Sequence, residues 1–283
     1  MEELSFETMR VAFQGEPGAF SEAAAAQLLG GGIRTVPRTT FDTTFRAIAE
    51  DAADALLVPV ENTLAGSVVR VYDLLLDSPL EMCGETILPI EHHLMACPGA
   101  AFGDLRAVAS HPVALAQCER FFENNPGLKR VPAEDTAGSV REMMDRGDKH
   151  FGAIAGRPAA ERYGAIILRE NIQDNAENFT RFVLLLRPEA ARRYRAKDAR
   201  KMSLAMRLAH KPGALLASLQ PFSKHGVNLL KIESRPIHGK PFEYQFYVDV
   251  EAAEQERLEK ALEEVRGATS ELRVLGRYAA ARR

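Results

Sequence analysis

Along the first two thirds of the chain, apolar residues fall into two kinds of run. Short, largely apolar runs at 10–13, 55–60, 106–109, 151–154 and 165–169 read as strands. Between them, Ala-rich or 3.6-spaced apolar positions predict helices over 21–29, 41–52, 68–76, 112–123, 137–146 and 158–163. Strands alternating with helices through short connections predict an α/β architecture with mostly parallel sheets. One more apolar run, 181–186, ends at Arg187-Pro188. The stretch 189–200 is polar, basic and poor in large aliphatics. It reads as a solvated linker, with a nucleic-acid contact as the sharper alternative. Beyond it the pattern changes to strand 202–209, helix 213–225, strands 228–233 and 242–250, helix 252–266 and strand 272–278. Leu215, Leu216, Leu219 and Phe222 share a helix face, Phe242, Tyr244, Phe246 and Val248 alternate, and Leu258, Leu262 and Val265 form a second helix face. The order βαββαβ is the ferredoxin-like unit.

Composition narrows the function classes. The 283 residues are 46% hydrophobic and 27% charged, which suits a folded soluble protein of about two domains. Lys plus Arg number 36 against 39 Asp plus Glu, a formal net charge of −3, so no nucleic-acid partner is expected. Cys83, Cys97 and Cys118 are odd in number and form no C-x-x-C, which fits a reducing, cytoplasmic setting. Residues 1–10 lack the apolar run of a secretory signal, and no 18-residue apolar stretch predicts a membrane span.

Four segments could carry chemistry. Phe13-Gln14-Gly15-Glu16-Pro17-Gly18-Ala19-Phe20-Ser21 joins a strand to a helix without the spacing of a phosphate loop. Its glycine turn and helix N-terminus, with Ser21 near the cap, favour a carboxylate or serve only as a cap. Glu61, Asn62, Thr63 and Ser67 crowd the C-terminal end of an apolar strand, where open α/β sheets bind ligands. Ser110-His111-Pro112 opens a helix that places Gln117 two turns in. Asn175 to Phe182 is a polar turn that delivers Thr180 and Arg181 at a strand start, where Arg could bind a carboxylate and a hydroxyl could donate to a leaving group. On a strand, His92 and His93 would face opposite ways, and no residues have zinc spacing, so no metal is expected. No G-x-S-x-G elbow is present for a hydrolase, and Cys97 before Pro98 reads as a small buried hydrophobe.

Taken together, these segments resemble prephenate dehydratase. The resemblance rests on Phe13 to Ser21, Val58-Pro59-Val60-Glu61-Asn62-Thr63, Ser110-His111-Pro112 through Cys118, Asp135-Thr136-Ala137-Gly138, Glu170 through Asp174, and Asn178-Phe179-Thr180-Arg181-Phe182. The C-terminal region resembles that family's regulatory ACT domain through Gly213-Ala214-Leu215-Leu216 and Lys231-Ile232-Glu233-Ser234-Arg235-Pro236. Two positions depart from the family pattern: Val113 stands where Gln is common, and Thr63 where Ser is common.

The resemblance implies a catalytic domain over 1–190, built like a type II periplasmic binding protein from lobes at about 10–95 plus 180–187 and 98–172. A linker over 191–199 and an ACT domain over 200–283 would follow, with lobe crossings near 93–98 and 171–180. It implies conversion of prephenate to phenylpyruvate without a cofactor, and inhibition by phenylalanine. Thr180 would donate to the leaving hydroxyl. Asn62, Thr63, Ser110, Gln117, Arg181, Glu61 and Ser21 would hold or flank the substrate, with Arg181 turned away if Thr180 faces the cleft. Gly213, Ala214, Leu215, Leu216, Asn228, Glu233, Ser234, Arg235 and Pro236 would form the phenylalanine site, unless Leu215 or Leu216 is core. A homodimer or homotetramer is implied. Arogenate dehydratase, a non-aromatising decarboxylase of similar fold and a non-catalytic phenylalanine sensor are the competing readings.

Overall fold

The computed structural model describes residues 8–194, 199–237, 239 and 243–281. The chain divides into two compact units: the larger holds 5–77 and 86–183, the smaller 78–85 and 184–283.

The larger unit starts with β1 (Arg10–Gln14), α1 (Phe20–Leu29), β2 (Arg34–Arg38), α2 (Phe41–Ala49), β3 (Ala55–Asn62), β4 (Gly66–Ser67) and α3 (Val69–Leu76). β5 (Glu81–Pro89), which belongs to this unit from Thr86 onward, and β6 (His93–Ala96) lead to β7 (Ala107–Ser110), α4 (Pro112–Ala116), α5 (Glu119–Glu123), β8 (Lys129–Pro132) and α6 (Thr136–Arg146). β9 (Phe151–Ala155), α7 (Arg157–Tyr163), β10 (Ile166–Arg169) and β11 (Phe179–Leu186), the last of which belongs to this unit through Val183, complete it. In one sheet β1 lies between β2 and β3, parallel to both. β4 folds back on the end of β3, and β11 is the neighbour of β3 on its other side. The second sheet has the order β10-β6-β9-β7-β8, parallel between β7 and its two neighbours and antiparallel around β6. Val11, Ala12, Phe13 and Leu56 are wholly buried in the first sheet, as are Leu94, Met95, Ala153 and Ile154 in the second.

Two glycines let the loop before α1 lie against the start of α7. Gly18 has φ +87°, and a Cβ there would sit 2.9 Å from the Ala159 backbone. A Cβ on Gly156 would sit 2.7 Å from the Phe20 ring. Tyr163 Oη donates to Pro17 O at 2.8 Å, and Glu16 pairs with Arg141 at 3.2 Å across the same junction.

The smaller unit contains α8 (Pro188–Tyr194), β12 (Lys201–Arg207), α9 (Ala214–Lys224), β13 (Asn228–Pro236), β14 (Tyr244–Glu251), α10 (Gln255–Ala268) and β15 (Glu271–Tyr278). From β12 onward the order is βαββαβ, with the antiparallel sheet β13-β14-β12-β15 and the start of β5 added parallel to β15. Met202, Leu204, Phe222, Val248, Val250, Leu258, Leu262 and Val265 form the core between this sheet and its two helices. Lys201 and Glu85, both buried, bond at 2.8 and 2.9 Å, which offsets the cost of removing two charges from water.

Three expectations change. The 112–123 helix breaks between α4 and α5, because Asp174 accepts the N–H groups of Glu119 and Arg120 at 2.8 and 3.0 Å and caps a separate α5. The N-terminal part of the expected linker is helical through Tyr194, with Ala191 buried, while 195–198 lie outside the described residues, as does Phe242 of the alternating strand. Leu215 and Leu216 are not core, being 37% and 72% exposed.

Candidate active site

The larger unit holds a cavity of about 370 Å³, within the roughly 300–1,000 Å³ of small-molecule pockets. Its walls come from the loop and N-terminus of α1, the C-terminal end of β3, the start of β11, the α4 region and the start of α6. Apolar contributions come from Phe20, Phe41, Pro59, Val68, Ile90 and Phe182. Among the described lining residues there is no Lys or Arg, and the carboxylates are Glu134 and Asp135. Asp135 is committed to capping α6, accepting the Gly138 N–H at 2.6 Å.

With no lining cation, the donors left for an anion are uncharged ones, from side chains and from the backbone. Ala19 precedes α1 with no side-chain cap, and the backbone N–H groups of Phe20 and Ser21 have no bonded partner among the described residues. They lie at the positive end of a ten-residue helix. Ser21 is thus in the first turn and not the cap.

The polar end of the cavity is one connected network. Asn62 Nδ2 lies 2.9 Å from Thr180 Oγ1, 2.8 Å from Asn178 Oδ1 and 3.2 Å from Phe179 O. Asn178 Nδ2 donates to Gln117 Oε1 at 3.0 Å, and His92 Nε2 lies 2.9 Å from the same oxygen. Thr180 is 8% exposed and Asn178 and His92 are buried. Burial holds the His92 pKa below its ordinary value, so the ring is neutral at pH 7. The His111 pKa is also lowered by burial, and its Nδ1 accepts the Val113 N–H as the cap of α4.

Of the residues expected at a substrate site, Thr180, Asn62, Gln117 and Ser21 line this cavity; Thr63, Ser110, Arg181 and Glu61 do not. The reasons are local. Ser110 is wholly buried and its hydroxyl donates to Ile154 O at 2.6 Å. Thr63 Oγ1 donates to Glu177 O and accepts the Phe179 N–H, pinning the turn before β11 to the end of β3. Strand alternation puts Thr180 and Phe182 in the cavity wall and Arg181 elsewhere, 3.6 Å from Glu61. Asn178, His92, Phe20 and Thr136 also line the cavity or join its network, although sequence reasoning gave them no site role. Asn178 stands in the segment Asn178–Phe182, a polar residue before an apolar strand, and that was its only signal.

Val113, the departure in the His-Pro segment, is 42% exposed at the cavity. His93 is buried and its Nδ1 accepts the Asn171 N–H at 3.1 Å. Among the described residues no three His, Cys, Asp or Glu side chains form a metal-binding group, and no helix is long and apolar enough to cross a membrane. Burial pushes the Cys118 thiol up to about 12, so it is inert as a nucleophile.

The smaller unit has its own cavity of about 160 Å³, between Leu208–Lys211, the start of α9 and the Glu243–Phe246 segment. Ala214 and Leu215 line it, after Gly213 in the left-handed conformation at φ 77°. The Ala214 N–H bonds to Lys211 O at 3.2 Å, so the amides of Leu215 and Leu216 remain as donors for a carboxylate. The Leu216 side chain is exposed. Asn228, Glu233, Ser234, Arg235 and Pro236 lie on β13, the outermost strand of its sheet.

Residues 11–190 match the family model for prephenate dehydratase and 202–268 that for the ACT domain. The chain is 38% identical over 289 residues to arogenate dehydratase/prephenate dehydratase 1 of Arabidopsis thaliana, covering 95% of this chain and 72% of that one. It matches the structure of prephenate dehydratase from Arthrobacter aurescens in complex with L-Phe at 32% identity and TM-score 0.85, covering 96% and 90% of the two chains. A structure described as a novel type of quorum-quenching acylase matches at 34% identity and TM-score 0.84, covering 96% and 98%. With a family model spanning the larger unit and a regulatory-domain model on the βαββαβ segment, this chain belongs to the prephenate dehydratase family, lyases that here carry a C-terminal ACT domain.

Proposed function

We propose that the chain converts prephenate to phenylpyruvate and that phenylalanine restrains this turnover through the C-terminal domain. The observation that carries the reading is Thr180 Oγ1, which receives a hydrogen bond from Asn62 Nδ2 at 2.9 Å at the polar end of the cavity. With one lone pair engaged by the amide, the hydroxyl keeps its own hydrogen for a ligand. Placed at the substrate's C4 hydroxyl, it stabilises oxygen as the C–O bond breaks. The electron pair of the C–CO2 bond enters the ring, the C4–O pair leaves with oxygen, and one proton completes water. Prephenate dianion plus a proton gives phenylpyruvate, carbon dioxide and water. Threonine is too weak an acid to supply that proton outright, so Thr180 relays it or stabilises the departing charge. The α1 N-terminus is our choice for one substrate carboxylate, because no lining cation competes for it. Thr63, Arg181, Glu61 and Ser110 then act on the wall behind the substrate. Acyl transfer would ask for a base beside the hydroxyl, and Thr180 is bonded to an amide instead.

In the smaller unit we place phenylalanine at the α9 N-terminus, with its carboxylate on the Leu215 and Leu216 amides and its ring toward Leu208, Tyr244 and Phe246. The outer strand β13 exposes Leu229, Leu230 and Ile232 at 38%, 41% and 42%. Such an edge invites pairing, and a second copy of the chain is the occupant we propose, giving a homodimer or homotetramer in the cytoplasm. Asn228 and 233–236 would then reach phenylalanine from the neighbouring copy. The domains we infer are 1–190 catalytic, with its two lobes, and 200–283 regulatory.

The test offers purified protein prephenate and arogenate separately, with and without phenylalanine, and follows phenylpyruvate and phenylalanine production. Prephenate turnover suppressed by phenylalanine is the expected result. Turnover of arogenate alone would keep the ring chemistry and change the substrate. No turnover with phenylalanine still bound would leave a sensor.

A further inference from the structure

The bond directions around Thr180 follow from the backbone outward. The N–H groups of Leu64 and Ala65 both reach one atom of the Asn62 amide, at 3.0 and 2.7 Å, so that atom is the oxygen. The other atom is the NH2 group, and it donates to Asn178 Oδ1 and Thr180 Oγ1. Asn178 must then turn its own NH2 toward Gln117, which makes the facing Gln117 atom Oε1. That oxygen is also 2.9 Å from His92 Nε2, and two acceptors cannot share a bond without a hydrogen. His92 therefore carries its hydrogen on Nε2. Its Nδ1 is buried and has no partner among the described residues, and the Phe20 ring meets the imidazole edge-on at 6.0 Å. A second ring proton would have nothing to bond.

We propose that His92 is a positioning residue for the dehydratase reaction, whose Nε2–H holds the Gln117 oxygen inward so that the Gln117 NH2 serves the substrate as a donor. The inference rests on the dehydratase reading. The flipped amide would set its NH2 against two inward-facing donors, Asn178 Nδ2 and His92 Nε2. It would also offer an oxygen to a substrate that carries two carboxylates and expels an oxygen as its charge builds. His92 supplies one of the two contacts that forbid the flip. Burial keeps the ring neutral, which keeps Nδ1 bare and the tautomer single. Of the paired histidines, His92 thus acts through a neighbouring amide.

Two measurements on the full chain decide this. Long-range proton–nitrogen NMR with 15N-histidine, assigned by comparison with His92→Gln, should show His92 as the neutral Nε2–H tautomer at pH 7. An Nδ1–H tautomer or an imidazolium there overturns the proposal. In kinetics, His92→Leu should lower kcat/KM about 10–100-fold. His92→Gln, which can donate from nearly the same place, should stay within about threefold of the unaltered protein. In a Gln117→Ala background, adding His92→Leu should cost less than about twofold, because the residue acts through Gln117. Additive losses, or no rescue by Gln, overturn it. If His92→Leu fails to fold by circular dichroism, the tautomer measurement still decides. Unaltered protein that turns over neither prephenate nor arogenate would sink the dehydratase reading and the role of Gln117 with it; a wrong tautomer with normal turnover would sink the role of His92 alone.

Discussion

Thr180 shows how little acid strength the proposed chemistry asks of a side chain. The residue is 8% exposed, its hydroxyl is bonded to one amide, and the next cavity-facing residue on its strand is Phe182. Thr180→Ala should leave the thermal midpoint nearly unchanged and lower kcat by about 10²–10⁴-fold, while Thr180→Ser retains most of it. Steady-state rates with prephenate check this, and near-normal turnover in the Ala variant would remove Thr180 from the reaction. A second prediction concerns protons and stability. Burial lowers the pKa of His92 and His93 below 6.5 in the folded chain. The unfolded chain therefore takes up protons that the folded chain refuses once pH falls below about 6.5. Stability should be full above that pH and decline toward pH 5, by at most about 1.4 kcal/mol per pH unit for each histidine. Melting curves at pH 7.5 and 5.5 should show the decline, and His92→Gln should blunt but not abolish it. A midpoint that rises on acidification contradicts the assignment.

At the scale of elements, legibility followed the range of the interaction that decides each one. The βαββαβ order was readable because each helix and strand of that segment declares its own buried face, as Leu258, Leu262 and Val265 do on α10. The break between α4 and α5 was not, because the residue that caps α5 is Asp174, more than fifty positions away. The same holds for the site. Thr180, Asn62 and Gln117 stand in motifs, but that Ser110 commits its hydroxyl to Ile154 O is a fact of strand pairing, invisible in Ser110-His111-Pro112 itself. Asn178 and His92 join the site only through partners on other elements. Gly18 tests an element boundary. Its φ of +87° disfavours a side chain, and a Cβ would meet the Ala159 backbone at 2.9 Å, so neither side can yield by a rotamer change. Gly18→Ala should destabilise by about 2 kcal/mol or more. It should also raise KM more than it lowers kcat, because it shifts the α1 N-terminus proposed to hold a carboxylate. Urea unfolding with parallel kinetics reads both, and an unaltered KM in a folded variant would detach α1 from substrate binding.

At the scale of the whole molecule, assembly turns on β13. Among the described residues it is bonded within its sheet only to β14. A register shift between Leu229 and Lys231 adds a residue to β13, and three consecutive positions, 228–230, stand exposed. Leu229, Leu230 and Ile232 leave an apolar edge that water covers poorly. If a second copy covers it, the residues proposed for phenylalanine come from two chains, and regulation requires assembly while chemistry at Thr180 does not. Ile232→Lys puts a charge on this edge without touching the β12–α9–α10 core. Light scattering should then report a smaller assembly than for the unaltered chain. Phenylalanine should lose its inhibition by about tenfold or more in concentration, and basal prephenate turnover should remain within about twofold. An unchanged mass would place the interface elsewhere. A smaller mass with inhibition intact would mean that a single chain holds the whole phenylalanine site, and the contribution of Asn228 and residues 233–236 from a neighbour would fall.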